Sequence, residues 1–392
     1  MARGRGGFIG QDGLNAPDSP TAVSGTAGDS SVSVAFTAPT DVGASAITGY
    51  RAQSNTGVGA SGTSSPITVT GLANGTSYTF NVWAINAFGY SAPSDASGSV
   101  SPSAPADAIN KMGDNTTSVD YININTTGNA TDFGDAISTA GYRGALASST
   151  RGVFGGGYSG LVGIVNSIEY TTIAATGSFT DFGDLESAQY GLRALSNSTR
   201  GIFSGGAGGG SAINTLQYIT IASVGNTTDF GDMTTGRYLG GNCSSSTRGL
   251  FGAGTTDFTA ATGANSIDYV TIASTGNGAD FGDLTVGRYN PGSCSSSVRG
   301  VWGGGVNNSG VQINVIDYIT IASTGNATDF GDLTVTGGST TATSSSTRGL
   351  FITENTMDYI TIASTGNAID FGDPTVNTNN NAATSNGHGG LQ

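Results

Sequence analysis

The sequence predicts an all-β protein whose larger part is a six-bladed β-propeller. The first observation is a repeat: DFGD begins at Asp132, Asp181, Asp229, Asp280, Asp329 and Asp370, at steps of 49, 48, 51, 49 and 41 residues. A period near 50 carrying strand-like text marks a propeller or a solenoid. The second is residue choice, since Ile, Val, Tyr, Thr and Phe alternate between Gly-Asn, Gly-Gly and Asn-Asn breaks. Nothing shows helical spacing, and 65 glycines in 392 residues penalise helices heavily. The third is the end of the chain, where TVNTNNNAATSNGHGGLQ aligns without a gap on TVTGGSTTATSSSTRGLF, setting His388 on Thr347 and Leu391 on Leu350. The C-terminus is therefore expected to supply strands one and two of a last sheet, and the stretch around Tyr121 strands three and four. Five whole units and this composite make six, and a ring closed by its own termini leaves no open sheet edge.

Within the unit Gly282–Asp332, GSCSSSV leads through Arg299 into VWGGG, and NVIDYITIA follows a variable loop. A TGN turn then enters ATDFGDL. The loop between the second and third strands differs most among units, from GGGYSGLVGIVNS to the clipped ITENT at Glu354, which accounts for the 41-residue step. Variation confined to one loop places the differences on one face, often the binding face.

An arginine stands before the first strand (Arg143, Arg193, Arg237, Arg288), and a Gly-Gly pair closes the second (Gly155–Gly156, Gly205–Gly206, Gly303–Gly304). A tyrosine sits in the third (Tyr170, Tyr218, Tyr269, Tyr318, Tyr359), and a phenylalanine in the fourth (Phe133 to Phe371). In these features the repeat resembles the kelch motif, with phenylalanine where that family usually carries tryptophan. The resemblance implies architecture, because one fold serves many functions.

Residues 1–16 are glycine-rich with Arg3 and Arg5 and no long apolar run, so no secretory signal is read there. They are expected to be a tail, with Phe8 and Ile9 as a small anchor. From residue 17 to 100, Phe36 and Tyr50 lie in alternating strands. Leu72, Gly75 and Tyr78 form a leucine-glycine-tyrosine corner, and Gly89, Ser91 and Pro93 a final turn. This stretch resembles a fibronectin type III domain, which implies a seven-stranded β-sandwich. Residues 101–114 are expected to be a semi-rigid linker and 115–392 the propeller.

Composition narrows the function classes. The net charge is −14, Lys111 is the single lysine, and the DFGD motifs hold 12 of the 27 acidic residues. Such acidity argues against nucleic acid, and no apolar run is long enough to span a membrane. DFGD recurs in every unit without a phosphate loop, so it is no kinase signature. Its aspartates are expected to cap turns and pair with arginines rather than bind calcium. Arg151, Arg200, Arg248, Arg299 and Arg348 are expected to bridge strands. Cys243 and Cys294 share one repeat position with Leu146 and Leu195, so buried free thiols are expected. With His388 as the sole histidine and Glu169, Glu186 and Glu354 in different units, no hydrolase constellation forms. No enzyme, cofactor or metal site is expected.

The RGGFIG opening and the DYITIASTGNATDFGDLT repeats, low in charge and rich in Gly, Ser, Thr and Asn, resemble tail-fibre, spike or virion-surface proteins of marine tailed phages. That resemblance implies a virion protein made in the host cytoplasm. Its tail and sandwich would attach to other virion proteins, as a homo-oligomer, and its propeller would face host-surface glycan or protein. A capsid-decoration or tail-collar part is the alternative, and a polysaccharide-cleaving enzyme a third reading. The variable loops supply the expected contacts: Tyr158, Asn166, Asn214, Phe258, Asn265, Asn307 and Asn308, aromatic for stacking and neutral for hydrogen bonding.

Overall fold

The structure is a computed structural model that describes residues 15–28, 30–73, 76–102, 107–173, 175–256, 262–376 and 379–391. The N-terminal tail with Phe8 and Ile9 lies outside the described residues. The chain divides into two compact units, Met1–Pro105 and Ala106–Gln392. Apart from a 3-10 turn at Gly389–Leu391, every regular element among the described residues is a strand.

In the first unit Thr21–Gly28, Ser31–Thr37 and Ile67–Thr70 make one sheet. Gly59–Gly62, Ile47–Ser54, Phe80–Asn86 and Gly89–Tyr90 make a second. Strand alternation turns Val32, Val34 and Phe36, and Phe80, Val82 and Ala84, into one core with Tyr50, Ile67 and Leu72. Phe36 packs on Tyr50 with ring centres 4.8 Å apart. The expected corner is present: the Tyr78 hydroxyl accepts the Ala73 N–H at 3.0 Å. Its Gly75 lies outside the described residues.

The second unit holds six four-stranded antiparallel sheets. Sheet two is Gly144–Ala147, Arg151–Gly155, Ser167–Thr172 and Thr180–Asp184, and the same order repeats through sheets three, four, five and six. Sheet one corrects the expected assembly of the ends. The C-terminus contributes one strand, Ala382–Ser385, and the other three are Asp107–Lys111, Ser118–Asn123 and Thr131–Asp135. Residues 107–111, placed in the linker by the sequence reading, are thus the second strand of a sheet. His388 and Leu391 lie in or beside the terminal turn rather than in a strand. The reason is local: Asn386-Gly387-His388-Gly389-Gly390 offers no alternating apolar residues, whereas Ala108 and Ile109 are fully buried.

No backbone ladder joins one sheet to another among the described residues. Other contacts do, and they run in cyclic order. First strands lie against one another from sheet one through sheet six and back to one. Apolar clusters fill every gap between successive sheets. One unites Leu146, Phe182 and Phe203 of sheets two and three, and another Ala108, Ile122, Leu350 and Phe371 of sheets one and six. The second-strand glycine makes room for the aromatic of the next sheet: a Cβ on Gly155 would stand 2.7 Å from Phe203.

The repeated motifs are the fasteners. The TGN, TGS or VGN turn of each sheet donates its glycine N–H to the DFGD phenylalanine carbonyl of the preceding sheet. This holds from Gly177 on Phe133 round to Gly128 on Phe371, at 2.7–3.1 Å. In the first strands, Ser196, Ser244, Ser295, Ser344 and Ser385 each donate from Oγ to the carbonyl of the equivalent residue in the sheet before. These bonds measure 2.5–2.9 Å, and Ala147 holds the sixth position. Each STRG or SVRG arginine lies 4.4–4.7 Å over its own sheet's tyrosine and donates to an isoleucine carbonyl one sheet on.

Candidate functional site

The chain enters each first strand through a tight turn. Tyr142, Leu239 and Asn290 take φ of 54°, 58° and 59° there, and Gly191 takes 65° at the same repeat position. Left-handed backbone is costly for ordinary side chains and is retained where surrounding bonds enforce it. Here the enforcement is a hydrogen-bonded circuit. Gly191 N–H donates to Tyr142 O, Leu239 to Gly191, Asn290 to Leu239, Thr340 to Asn290, and Tyr142 to Asn380 O, at 2.6–3.2 Å. Asn380 N–H donates to Ser339 Oγ. The variable loops are tied to these same turns. Bridges join Gly141 to Tyr158, Tyr190 to Ala207 and Tyr238 to Thr255, and Arg288–Tyr289 pairs with Val306–Asn307. Loop variation is therefore gathered at the end where the first strands begin.

A tyrosine cluster forms there. Tyr190 lies 6.1 Å from Tyr142, 6.0 Å from Tyr158 and 6.1 Å from Tyr238 between ring centres, and Tyr289 packs against the same group. Tyr158 is 39 % exposed, and beside it on the Tyr158–Ile164 hairpin Leu161 is 73 % exposed. Sequence reading picked Tyr158 alone. The others were hidden because Tyr142 stands two residues before its first strand while Tyr190, Tyr238 and Tyr289 stand three before.

Between the first strands is a cavity of about 80 Å³ whose lining includes Arg193, Asn242, Thr343 and His388. Arg193, expected ahead of its first strand, lies within Arg193–Ser196. Its Nε donates to Gly240 O at 2.9 Å, Nη1 to Leu192 O at 3.2 Å and Nη2 to Asn290 Oδ1 at 3.0 Å. Burial lowers it to about 10, so it stays cationic at neutral pH. The other entry arginines have carboxylate partners: Arg143 with Glu169, Arg237 with Asp268 at 2.9 Å, and Arg288 with Asp317. Lys111 is buried on the carbonyls of Met112, Gly113 and Thr116, and desolvation brings it down to about 7.

The opposite end of the cavity is stopped by the C-terminus. His388 Nδ1 accepts the Gly390 N–H at 3.2 Å, which puts the ring proton on Nε2, 3.1 Å from Ala147 O and 3.2 Å from Ser196 Oγ. A Cβ on Gly390 would stand 1.8 Å from Ser196 O, so only glycine passes.

The remaining expected contact residues are not gathered into one place. Asn166, Asn214 and Asn265 hold one repeated position in three sheets, each carbonyl accepting the N–H of Leu185, Met233 or Leu284. Asn307 uses Oδ1 to accept the N–H groups of Ser309 and Val311 within its turn, while Asn308 is exposed. Phe258 lies outside the described residues. Cys243 and Cys294 are buried free thiols, with Cys243 Sγ donating to Cys294 O at 3.2 Å; burial raises both. Among the described residues no helix is long and apolar enough to cross a membrane. On the N-terminal unit Arg51, Gln53, Trp83 and Tyr90 line a separate groove of about 480 Å³.

Residues 16–99 match the fibronectin type III domain family. The alternating strands and the Tyr78 corner described above lie within this fibronectin type III domain. No curated protein matches the chain.

Proposed function

We propose that residues 106–392 form a six-bladed, kelch-like propeller serving as the adhesion module of a phage virion appendage. The fibronectin type III domain and N-terminal tail would join it to other virion proteins. The cyclic contacts of the six sheets support the propeller. The adhesion reading is carried by one observation: the variable loops and the tyrosine cluster share one end of the first strands. The exposed Tyr158 and the partly buried Tyr142, Tyr190 and Tyr289 suit the flat faces of sugar rings, and the surrounding Asn, Ser and Thr offer neutral hydrogen bonds. No catalytic role is assigned, and the protein is read as non-enzymatic.

Binding of the intact protein to host cells or their extracted surface glycan tests this. Tyr158→Ala and Tyr190→Ala should each weaken binding at least tenfold while leaving the fold intact. Equal binding by both variants would refute the assignment. A purely architectural role, as capsid decoration or tail collar, is favoured by the exposed Leu161 and Val162, which would pack on a neighbouring subunit. Hundreds of copies per particle would support that role, and a handful would support a fibre or spike.

A further inference from the structure

We propose that the ligand of this face carries an acidic group, carboxylate or phosphate, and that Arg193 receives it. The proposal rests on the adhesion reading and adds the chemical class of the sugar. Three of the five guanidinium N–H groups of Arg193 are bonded, all to neutral acceptors. No carboxylate pairs with it among the described residues, unlike Arg143, Arg237 and Arg288. A cation partly withdrawn from water without a counter-charge carries a desolvation cost, and an anion arriving from outside is the compensation the site lacks.

Position favours the same conclusion. Arg193 begins its first strand, three residues after Tyr190, so it stands at the tyrosine end of the cavity and not at the His388 end. Its surface exposure is intermediate, and it lines the cavity, so it is packed among its neighbours without being sealed off. The cavity of about 80 Å³ is several times the roughly 10–15 Å³ that one water needs on the same measure. It has room for an acid group, with the rest of the sugar among the tyrosines. Thr343 Oγ1, buried in the same lining, has no protein partner. The DFGD aspartates that make the chain acidic lie on fourth strands, the sheet edge farthest from the first strands. Asp114 acts on Tyr142 and Lys111 and accepts from Asn380 at 3.5 Å, without pairing with Arg193. Planar N–H pairs on guanidinium match carboxylate and phosphate oxygens better than they match a hydroxyl.

The test is titration of the full chain with glucuronate, glucose 6-phosphate and glucose, read by protein NMR shifts. Glucuronate or the phosphate ester should bind at least tenfold tighter than glucose, and whichever leads identifies the acid. Arg193→Gln should erase that preference, and Arg193→Lys should keep part of it. The wild-type comparison needs no variant, so a poorly folding Arg193→Gln does not blunt it. Equal binding of all three sugars, displaced by host glycan, would overturn the acid assignment and leave adhesion standing. No binding of any sugar or of host glycan would overturn both.

Discussion

Arg348 donates from Nη1 to the carbonyl oxygen of Ile124 at 2.8 Å, joining residues 224 positions apart in sheets six and one. The same guanidinium lies 4.4 Å over the Tyr359 ring. Four other arginines make this bond between sheets adjacent in the chain, so the bond that joins the ends is chemically the same as those within the array. A hydrogen bond from a charged group contributes about 1.5–3 kcal/mol, and a cation over an aromatic face about 0.5–2. Arg348→Ala should therefore cost about 2–5 kcal/mol in denaturant unfolding. Arg348→Lys, lacking the planar fork, should recover only part. An unchanged midpoint for Arg348→Ala would mean that this contact does not hold the ends together.

Much of this was readable because the repeats keep their letters. Tyr and Phe recur at one fixed spacing in every sheet, so strand identity follows from the text, whereas the arginine is separated from its tyrosine by the variable loop and the Arg–Tyr stack does not. The second strand of sheet one was not readable, because only Ile109 of its five positions keeps the repeat's residue type. Asp107 stands in the arginine's place and accepts from the Tyr121 hydroxyl at 2.6 Å, Asn110 replaces the aromatic, and Lys111 the glycine. The entry arginines mislead in another way. Arg143 reaches a third-strand carboxylate from one residue before its first strand, and Arg237 and Arg288 from four before, so a common side-chain position does not require a common register. The tyrosine face was missed for the same reason.

The departure at Asn110 has a partner. Where sheets two, four and five close the second strand with Gly155, Gly252 and Gly303, sheet six has Ile352, buried against Ala108 and Ile122 of sheet one. The larger side chain fills what a phenylalanine at position 110 would have filled. Ile352→Gly should then cost about 3 kcal/mol or more through an unfilled cavity and a more flexible backbone. Asn110→Phe alone should also destabilise, by overpacking. Combining the two should recover much of the loss, as a coupling in a double-mutant cycle. Strict additivity would show that the two sites are not exchanging volume.

The DFGD glycine supports a different comparison. Gly183 (φ 147°) and Gly225 (φ 156°) share a conformation that side chains resist. Only Gly183 is crowded, with a Cβ placed 2.4 Å from Gly225 O, whereas nothing lies within 4 Å of a Cβ on Gly225. Backbone strain costs each alanine variant about 1–3 kcal/mol. Gly183→Ala should lose about 2 kcal/mol more, because the clash is with backbone that carries the inter-sheet bond. Equal losses in thermal unfolding would place the whole effect in φ.

His388 should make the C-terminal plug acid-sensitive. Burial brings its pKa down to about 4, while an unfolded histidine titrates near 6.5. Between those values the unfolded chain takes up a proton that the folded ring refuses. Its contribution to stability is therefore complete above about pH 7, falls as pH drops from about 6.5 towards 4, and levels off below. The geometry supplies the reason, since a proton on Nδ1 would face the Gly390 N–H that it now accepts. Lys111, lowered to about 7, exerts its own pH dependence above that value. Asp120 and Asp317, raised by burial, act in the opposite sense, because the folded state then takes up its proton first. Only a difference between proteins isolates the histidine. Denaturant unfolding at pH 7.5 and pH 4.5 should show a larger acid loss for the wild type than for His388→Gln. Identical losses would mean that the folded imidazole takes up its proton as readily as the unfolded one, and that the Ala147 and Gly390 contacts do not hold it neutral.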